Sequence, residues 1–167
     1  MQTLMILRHA KAEPWSPAVE DFTRPLSDVG RDHAAKVAQW IHDCDDPPAE
    51  ILCSPSQRTR ETLSPLLRLR PELETCSHFL PQLYRASPEI LSRLLDGIFE
   101  SVDRVLIVGH NPGLEQLAGA ILAPSERART ARLPTGTLLV TGFASDWAED
   151  AGRGILHHRV RGKKLPQ

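Results

Sequence analysis

Hydrophobic positions along the chain form short continuous runs separated by longer periodic stretches. Leu4–Leu7 and the apolar run inside Arg104–Gly109 are typical of strands buried on both faces, and Glu50–Cys53 predicts a further short strand. The pattern also predicts a weaker strand at Ser77–Leu80 and two late strands at Thr137–Phe143 and Ile155–Val160.

Capping residues and helical spacing predict four helices between these strands. They start at Ser27, Ser54-Pro55, Ser87-Pro88 and Asn111-Pro112, because serine and asparagine cap helices and proline is tolerated in the first turn. Pro65 is expected to kink or interrupt the second helix. The third carries the clearest periodic stripe, formed by Leu91, Leu94, Leu95 and Ile98.

Strands and helices therefore alternate along most of the chain. This order predicts a single α/β domain over residues 1–167, with three α/β/α layers around a mostly parallel central sheet. The last two strands have no clear helix between them, so we expect an antiparallel strand at one edge of the sheet.

Overall composition narrows the function classes. Twenty Lys+Arg against 21 Asp+Glu give a formal charge of −1, so the chain lacks the basic field of a nucleic-acid-binding protein. Its three cysteines are widely spaced without a C-x-x-C pair, which favours reduced thiols and a cytoplasmic location. The apolar start is too short for a signal peptide, and no run reaches the roughly 20 apolar residues of a membrane span.

Chemically useful residues follow three of the predicted strands. Arg8 and His9 follow the first strand, Arg58 lies in the helix after the second, and His110 follows the fourth. Ligands of open α/β sheets bind beyond the carboxyl ends of the strands, so we expect these side chains to meet. Arginine suits a phosphate oxyanion and an imidazole can act as a nucleophile, so the combination indicates phosphoryl transfer.

Each of these features also has a plain structural interpretation. A histidine after a strand is often only a hydrogen-bonded structural residue, and Arg58 could be a solvated helix arginine. The sequence Gly109–Gly113 could be a tight turn before a capped helix. The coincidence of three such features at three strand ends of one small sheet favours the functional interpretation.

The sequence also resembles a known family. Arg8-His9-Ala10 after the first strand, Ser54 followed by Arg58 and Thr62, and His110 after an apolar strand are similar to the histidine phosphatase superfamily. The chain length and Arg24-Pro25-Leu26-Ser27 resemble its small phosphohistidine phosphatase branch, the SixA type.

This resemblance implies a phosphoglycerate mutase-like fold and a role for each matching residue. His9 would be the phosphorylated nucleophile, Arg8 and Arg58 phosphate clamps, and His110 a further phosphate contact; Arg24 is a less firm member of the pocket. The expected partners are a phosphorylated protein, from a phosphorelay or phosphotransferase system, and phosphate or other oxyanions.

Larger members of the superfamily carry an acidic proton donor, which follows the third strand in the mutase branch. Here the corresponding segment Leu80–Ala86 has no acid, and Glu89 fits better as a partner of its own helix dipole. Expelling an alkoxide needs a proton, whereas an imidazole leaves more readily. The segment therefore favours phosphohistidine as substrate, with a phosphomonoesterase for small esters and a non-catalytic phosphate-binding module as alternatives.

Other polar residues carry weaker signals. Lys11 either adds charge at the pocket mouth or is a solvated loop lysine. His157 and His158 lie on opposite faces of a strand and cannot share one metal, so we expect neither a metal nor a cofactor. Three arginines either rim the substrate or belong to a plain surface loop: Arg127, Arg129 and Arg132. The chain ends in a basic tail, which is either a solvated terminus or a contact for an acidic partner: Arg159, Arg161, Lys163 and Lys164.

Overall fold

The computed structural model describes residues 1–166 of the chain. Its strands are β1 (Gln2–Arg8), β2 (Glu50–Cys53), β3 (Ser77–Phe79), β4 (Arg104–Gly109), β5 (Thr137–Phe143) and β6 (Ile155–Arg161). Its α-helices are α1 (Asp28–His42), α2 (Gln57–Leu69), α3 (Pro88–Phe99), α4 (Gly113–Ile121) and α5 (Pro124–Thr130). Short 3₁₀ turns lie at Asp21–Thr23, Pro71–Cys76, Pro81–Leu83 and Gly162–Lys164.

All the strands belong to one sheet in the order β3-β2-β4-β1-β5-β6. Strands β3, β2, β4 and β1 are parallel to one another, whereas β5 is antiparallel to both β1 and β6. The expected antiparallel strand is therefore β5, which lies one position inside the edge. Strand β4 lies between β1 and β2 and pairs with both of them.

Alternating side chains of β1 supply both layers of the core. Leu4 and Ile6 pack in the cluster that contains residues of α3 and α4, whereas Met5 and Leu7 pack with residues of α1 and α2. All four side chains are at most 3% exposed. This two-sided burial explains the continuous apolar run and confirms the three-layer α/β fold.

The helices differ from the sequence predictions at two starting points and at one internal proline. Helix α2 begins at Gln57 with Ser56 as its N-cap residue, so Ser54-Pro55 lies before the helix. The helix also continues through Pro65 instead of being interrupted there. Helix α4 begins at Gly113, after a cis Asn111–Pro112 peptide.

Three structural features bear on the possible functions: membrane-spanning helices, metal-binding clusters and disulfides. No helix among residues 1–166 is both long and apolar enough to cross a bilayer. Within the same residues, no three His, Cys, Asp or Glu side chains are grouped to hold a metal ion. Cys44, Cys53 and Cys76 are free thiols.

Candidate active site

Backbone hydrogen bonds lock three neighbouring strand ends together. The His9 N–H donates to the Gly109 carbonyl (3.1 Å), and the Ser54 N–H donates to the Val108 carbonyl (3.0 Å). The Gly136 N–H donates to the His9 carbonyl at 3.0 Å. The residues that follow β1, β2 and β4 are therefore held in a fixed relation at one edge of the sheet.

A cavity of about 320 Å³ opens at this edge. Its lining includes the five residues singled out in the sequence, which are Arg8, His9, Arg24, Arg58 and His110. It also includes Lys11, Ala12, Asp21, Arg85, Asn111 and Thr135. Two larger depressions, of about 550 and 590 Å³, lie beside Trp40 and Asp43 of the α1 region and contain none of those five residues. The chemical character of the lining residues, and not the volume of the cavity, therefore identifies the candidate site.

The imidazole of His9 is held as a neutral ring in a defined orientation. Its Nδ1 lies 2.8 Å from the Ala10 carbonyl oxygen. Because a carbonyl only accepts hydrogen bonds, Nδ1 carries the proton and Nε2 keeps the lone pair. Burial lowers the pKa of His9 to about 4, and the charges of Arg58, Arg8 and Arg24 act in the same direction against the Ala10 hydrogen bond. His9 is therefore uncharged at neutral pH.

Helix α2 holds one of its arginines against the loop after β1. Arg58 and Thr62 are four residues apart and share a helix face. The Ala10 N–H donates to the Thr62 hydroxyl at 3.0 Å, and that hydroxyl donates to the Arg58 carbonyl at 2.7 Å. Thr62 thereby ties the His9 loop to the helix turn that carries Arg58, whose side chain is 4% exposed.

Asp21, on the 3₁₀ turn at Asp21–Thr23, connects three other side chains. Its carboxylate accepts hydrogen bonds from Arg58 (2.9 Å), Arg24 (3.0 Å) and the Tyr84 hydroxyl (2.7 Å). A second Arg58 N–H donates to the Asp21 backbone carbonyl. Burial opposes ionisation of Asp21, but the hydrogen bonds from Tyr84 and Arg58 and the arginine charges outweigh it and lower its pKa to about 2. Asp21 therefore orients cations and holds no proton at neutral pH.

His110 lies between Ser54 and Arg58. Its Nε2 is 2.8 Å from the Ser54 hydroxyl and its Nδ1 is 3.4 Å from an Arg58 terminal nitrogen. A guanidinium can only donate, so Nδ1 accepts and the Nε2–H donates to Ser54. Burial lowers the pKa of His110 to about 3, and the nearby His9 and Arg58 act in the same direction against Asp21. The two site histidines, with ring centroids 5.3 Å apart, are both neutral.

Three arginines of the site retain unused donors. The Nε atoms of Arg8, Arg24 and Arg58 are buried and have no hydrogen-bond acceptor among residues 1–166. Arg8 also donates from a terminal nitrogen to the Leu133 carbonyl at 2.8 Å, which fixes its guanidinium. Buried donors are normally satisfied, so each of these arginines keeps hydrogen-bonding capacity that the described residues do not use.

The turn between β3 and α3 closes another side of the cavity. The Tyr84 ring meets His110 edge-on with a centroid distance of 5.4 Å, and Arg85 has φ = +54°, which is uncommon for a residue with a side chain. A Cβ on Gly113 would lie 2.0 Å from the Ala86 carbonyl oxygen. The glycine at the start of α4 therefore allows this turn to lie directly against the His110 segment.

Comparisons with known proteins identify the family. A sequence profile of the histidine phosphatase superfamily (branch 1) matches residues 4–79, a range that contains Arg8, His9 and Arg58. An uncharacterized chloroplastic protein of Arabidopsis thaliana is 30% identical over 154 residues, covering 87% of this chain and 69% of that protein. The chain belongs to the histidine phosphatase superfamily.

Solved structures place this histidine phosphatase in the SixA type. A candidate phosphohistidine phosphatase SixA from Agrobacterium tumefaciens is 27% identical, with a TM-score of 0.81 over 95% of this chain and 97% of that one. A protein histidine phosphatase SixA complexed with tungstate has a TM-score of 0.82 at 23% identity, over 99% of this chain and 100% of that one. Phosphatase chemistry on a phosphoglycerate mutase-like fold is the activity that these likenesses support.

The residues with weaker sequence signals differ in whether they line the cavity of this SixA-type fold. Lys11 lines the cavity, whereas Glu89 is exposed in the first turn of α3 and is not part of the lining. The three loop arginines lie outside the lining as well: Arg127 bonds the Leu122 carbonyl, Arg129 pairs with Glu126 at 2.7 Å, and Arg132 is exposed. Arg127 and Arg129 belong to the short helix α5 and not to a loop.

The sequence analysis missed Asp21, Tyr84 and Arg85. Asp21 meets Arg58 across 37 positions of sequence and Tyr84 across 63, and no short motif encodes such contacts. The one available signal was Arg24, which was expected in the pocket and lies three residues after Asp21.

Proposed function

We propose that this protein removes the phosphoryl group from phosphohistidine on a protein, by a metal-independent reaction in two steps. Nε2 of His9 attacks phosphorus in line while the P–N bond of the substrate breaks, and the displaced imidazole, already protonated on its second nitrogen, leaves as a neutral ring. Water then attacks phosphorus on His9. Its hydroxyl stays with the released phosphate, its remaining proton goes to solvent, and the P–N bond to His9 breaks.

The observation that carries this proposal is the state of His9. A nucleophile must be deprotonated, and burial keeps this imidazole neutral with its Nδ1–H directed to the Ala10 carbonyl. A purely phosphate-binding module needs positive donors, which a neutral histidine in this tautomer does not supply at Nε2. The geometry therefore supports attack on phosphorus and not mere capture of a phosphate.

The arginines support charge stabilisation in the transition state. Arg8, Arg24 and Arg58 line the cavity, where their charges would stabilise the negative charge on the equatorial oxygens of a phosphoryl group. Nearby His110 is neutral in the free site, and a dianion beside it favours the imidazolium form, whose Nδ1–H can also donate. The SixA complex with tungstate is a precedent for an oxyanion on this fold, which we extend to the present cavity.

The leaving group is inferred from the only carboxylate in the described lining of the cavity. Asp21 is ionised, with a pKa lowered to about 2, and accepts hydrogen bonds from three partners. A group in this state is a poor general acid for an alkoxide leaving group. An imidazole protonated on its second nitrogen departs as a neutral ring, so the cavity suits a P–N bond better than a P–O ester bond.

A turnover comparison tests the proposal. We expect kcat/KM to be higher for a histidine-phosphorylated protein domain than for sugar phosphates, 3-phosphoglycerate or phosphotyrosine peptides at neutral pH, and EDTA to leave the rate unchanged. Faster turnover of any small ester than of every phosphohistidine protein would favour the phosphomonoesterase alternative. Loss of activity with EDTA that zinc or magnesium restores would reveal a metal-dependent reaction.

The free thiols support a reducing compartment, for which the cytoplasm is our proposal. Cys44, Cys53 and Cys76 are unpaired, and burial raises the pKa of the Cys53 thiol to about 12, which makes it unreactive. Thiol titration of the protein isolated from its own cells should therefore find three reduced cysteines. A disulfide in that material would contradict the assignment.

A further inference from the structure

Two cationic side chains in the cavity lining, Lys11 and Arg85, differ from the three arginines in having no partner among the described residues. Arg8, Arg24 and Arg58 each bond a protein acceptor, whereas the side chains of Lys11 and Arg85 make no hydrogen bond or ion pair with any of residues 1–166. Both side chains belong to exposed residues at the rim. They are therefore available to a ligand that extends beyond the buried donors.

The charges around the cavity do not balance for a substrate with a single anionic group. Five cationic side chains line it, and Asp21 is the only carboxylate in its described lining. Among the lining groups, Asp21 and one bound phosphoryl dianion offset three of the five positive charges, and Glu115, which lies outside the lining, acts on Arg8. Since Arg24 and Arg58 already pair with Asp21, the uncompensated charges are those of Lys11 and Arg85.

The backbone around Arg85 holds this cation at the rim. Arg85 adopts φ = +54°, a left-handed conformation that is uncommon and unfavourable for a residue with a side chain. The following residue, Ala86, is packed against Gly113 beneath the His110 segment, and Tyr84 bonds Asp21. Residues on both sides of Arg85 are thus anchored to the site, which fixes where its side chain begins.

We propose that Arg85, assisted by Lys11, binds a second anionic group of the substrate, namely a carboxylate of an acidic residue beside the phosphohistidine. The inference rests on the proposed function for the phosphoryl site and adds a substrate preference to it. A substrate that carries this carboxylate gains a charge-assisted contact outside the reacting centre. Arg85 would then select substrates without taking part in the bond-breaking step.

Matched phosphonates test the second subsite without any chemical step. Calorimetry would compare simple alkylphosphonates with carboxyalkylphosphonates of the same chain length, from phosphonoacetate upward. We expect the carboxylate to tighten binding about three- to fivefold at one chain length, the scale of a partly exposed ion pair, and less at high salt. Arg85→Gln should abolish this gain and Lys11→Gln should reduce it. Arg93→Gln, which removes an exposed arginine of α3 outside the cavity lining, should retain it.

The outcomes separate this inference from the proposed function. Equal binding of the matched phosphonates by the wild type, or a carboxylate gain that survives Arg85→Gln, overturns the second subsite and leaves the phosphoryl site standing. Failure of every phosphonate to bind overturns the phosphoryl site and the subsite with it.

A second experiment identifies where the carboxylate comes from. Two phosphohistidine peptides that differ only in an aspartate or asparagine next to the phosphohistidine would be compared by kcat/KM. A preference for the aspartate peptide that Arg85→Gln removes supports a protein source. If the two peptides have equal kcat/KM while the carboxylate still tightens phosphonate binding through Arg85, the protein source is overturned. The ligand would then be a small phosphate compound that carries a carboxylate.

Discussion

His9, His110 and Asp21 lie within one cavity, and all three have a pKa below the ordinary value, for one physical reason in the histidines and another in the carboxyl group. Burial dominates for both histidines and keeps them neutral, whereas hydrogen bonds and arginine charges overcome burial for Asp21 and keep it ionised. The site thus holds a neutral nucleophile among cations without protonating it. Such opposed environments are typical of catalytic centres.

The first prediction concerns the protonation of the two histidines. We expect His9 and His110 to remain neutral as pH falls to about 5, because their pKa values are lowered to about 4 and about 3. NMR titration of the imidazole nitrogens in the free protein measures this directly. A midpoint near 6.5 at either ring would contradict the account.

The same shifts determine how stability depends on pH. Between about pH 6.5 and 4 the unfolded chain protonates these histidines and the folded protein does not, so the free energy of unfolding should decrease as pH falls through this window. Below about pH 5 Asp21 adds slope in the same direction, because its carboxyl begins to take up a proton in the unfolded chain while it stays ionised in the folded protein. Chemical denaturation at a series of pH values provides the check.

Replacing Asp21 tests its role as a positioning residue. Asp21→Asn removes the charge that holds Arg58 and Arg24, so we expect kcat to fall by about tenfold or more. The KM should not rise, since the cavity becomes more positive towards the phosphoryl group. The control is Asp28→Asn, an exposed carboxylate paired only with Arg31. A higher KM with unchanged kcat would show that Asp21 does not orient the catalytic cations.

At the scale of elements, the packing of α4 against the turn before α3 shapes the cavity. Gly113→Ala would place a Cβ 2.0 Å from the Ala86 carbonyl and displace the turn that carries Tyr84 and Arg85. We expect a loss of about 1–3 kcal/mol in unfolding free energy together with reduced kcat/KM.

Gly119→Ala in the same helix is the matched control. Its new Cβ would have no neighbour within 4 Å, so we expect about 0.5–1 kcal/mol of stabilisation and full activity. Denaturation midpoints and initial rates of both variants measure the difference. Equal effects of the two substitutions would mean that the contact with Ala86 does not shape the site.

Local sequence signals predicted the buried strands correctly but placed the start of α2 wrongly. The buried strands were predictable because both faces of β1 and β4 are covered, which demands continuous apolar runs. The start of α2 was not, because Ser54-Pro55 has the chemistry of a helix cap while the Ser54 hydroxyl is used by His110. A local signal was overruled there by a contact across 56 positions.

For the whole molecule, the order of the strands decides which residues meet. The residues after β1, β2 and β4 could be expected at one edge because parallel strands end together. Asp21, Tyr84 and Arg85 could not, because their places depend on loop paths that only the complete fold determines. Asp21 places a carboxylate in the cavity although the segment Leu80–Ala86 carries none, and its ionised state preserves the inference about the leaving group.

The most direct test of the account is to trap the phosphorylated enzyme. Turnover of a phosphohistidine protein would be stopped under alkaline conditions, and the modified residue mapped by mass spectrometry. We predict one acid-labile phosphoryl group on His9, absent in His9→Ala and retained in His78→Ala, which alters an exposed histidine of β3. A phosphoryl group on any other residue, or wild-type turnover by His9→Ala, would contradict the mechanism.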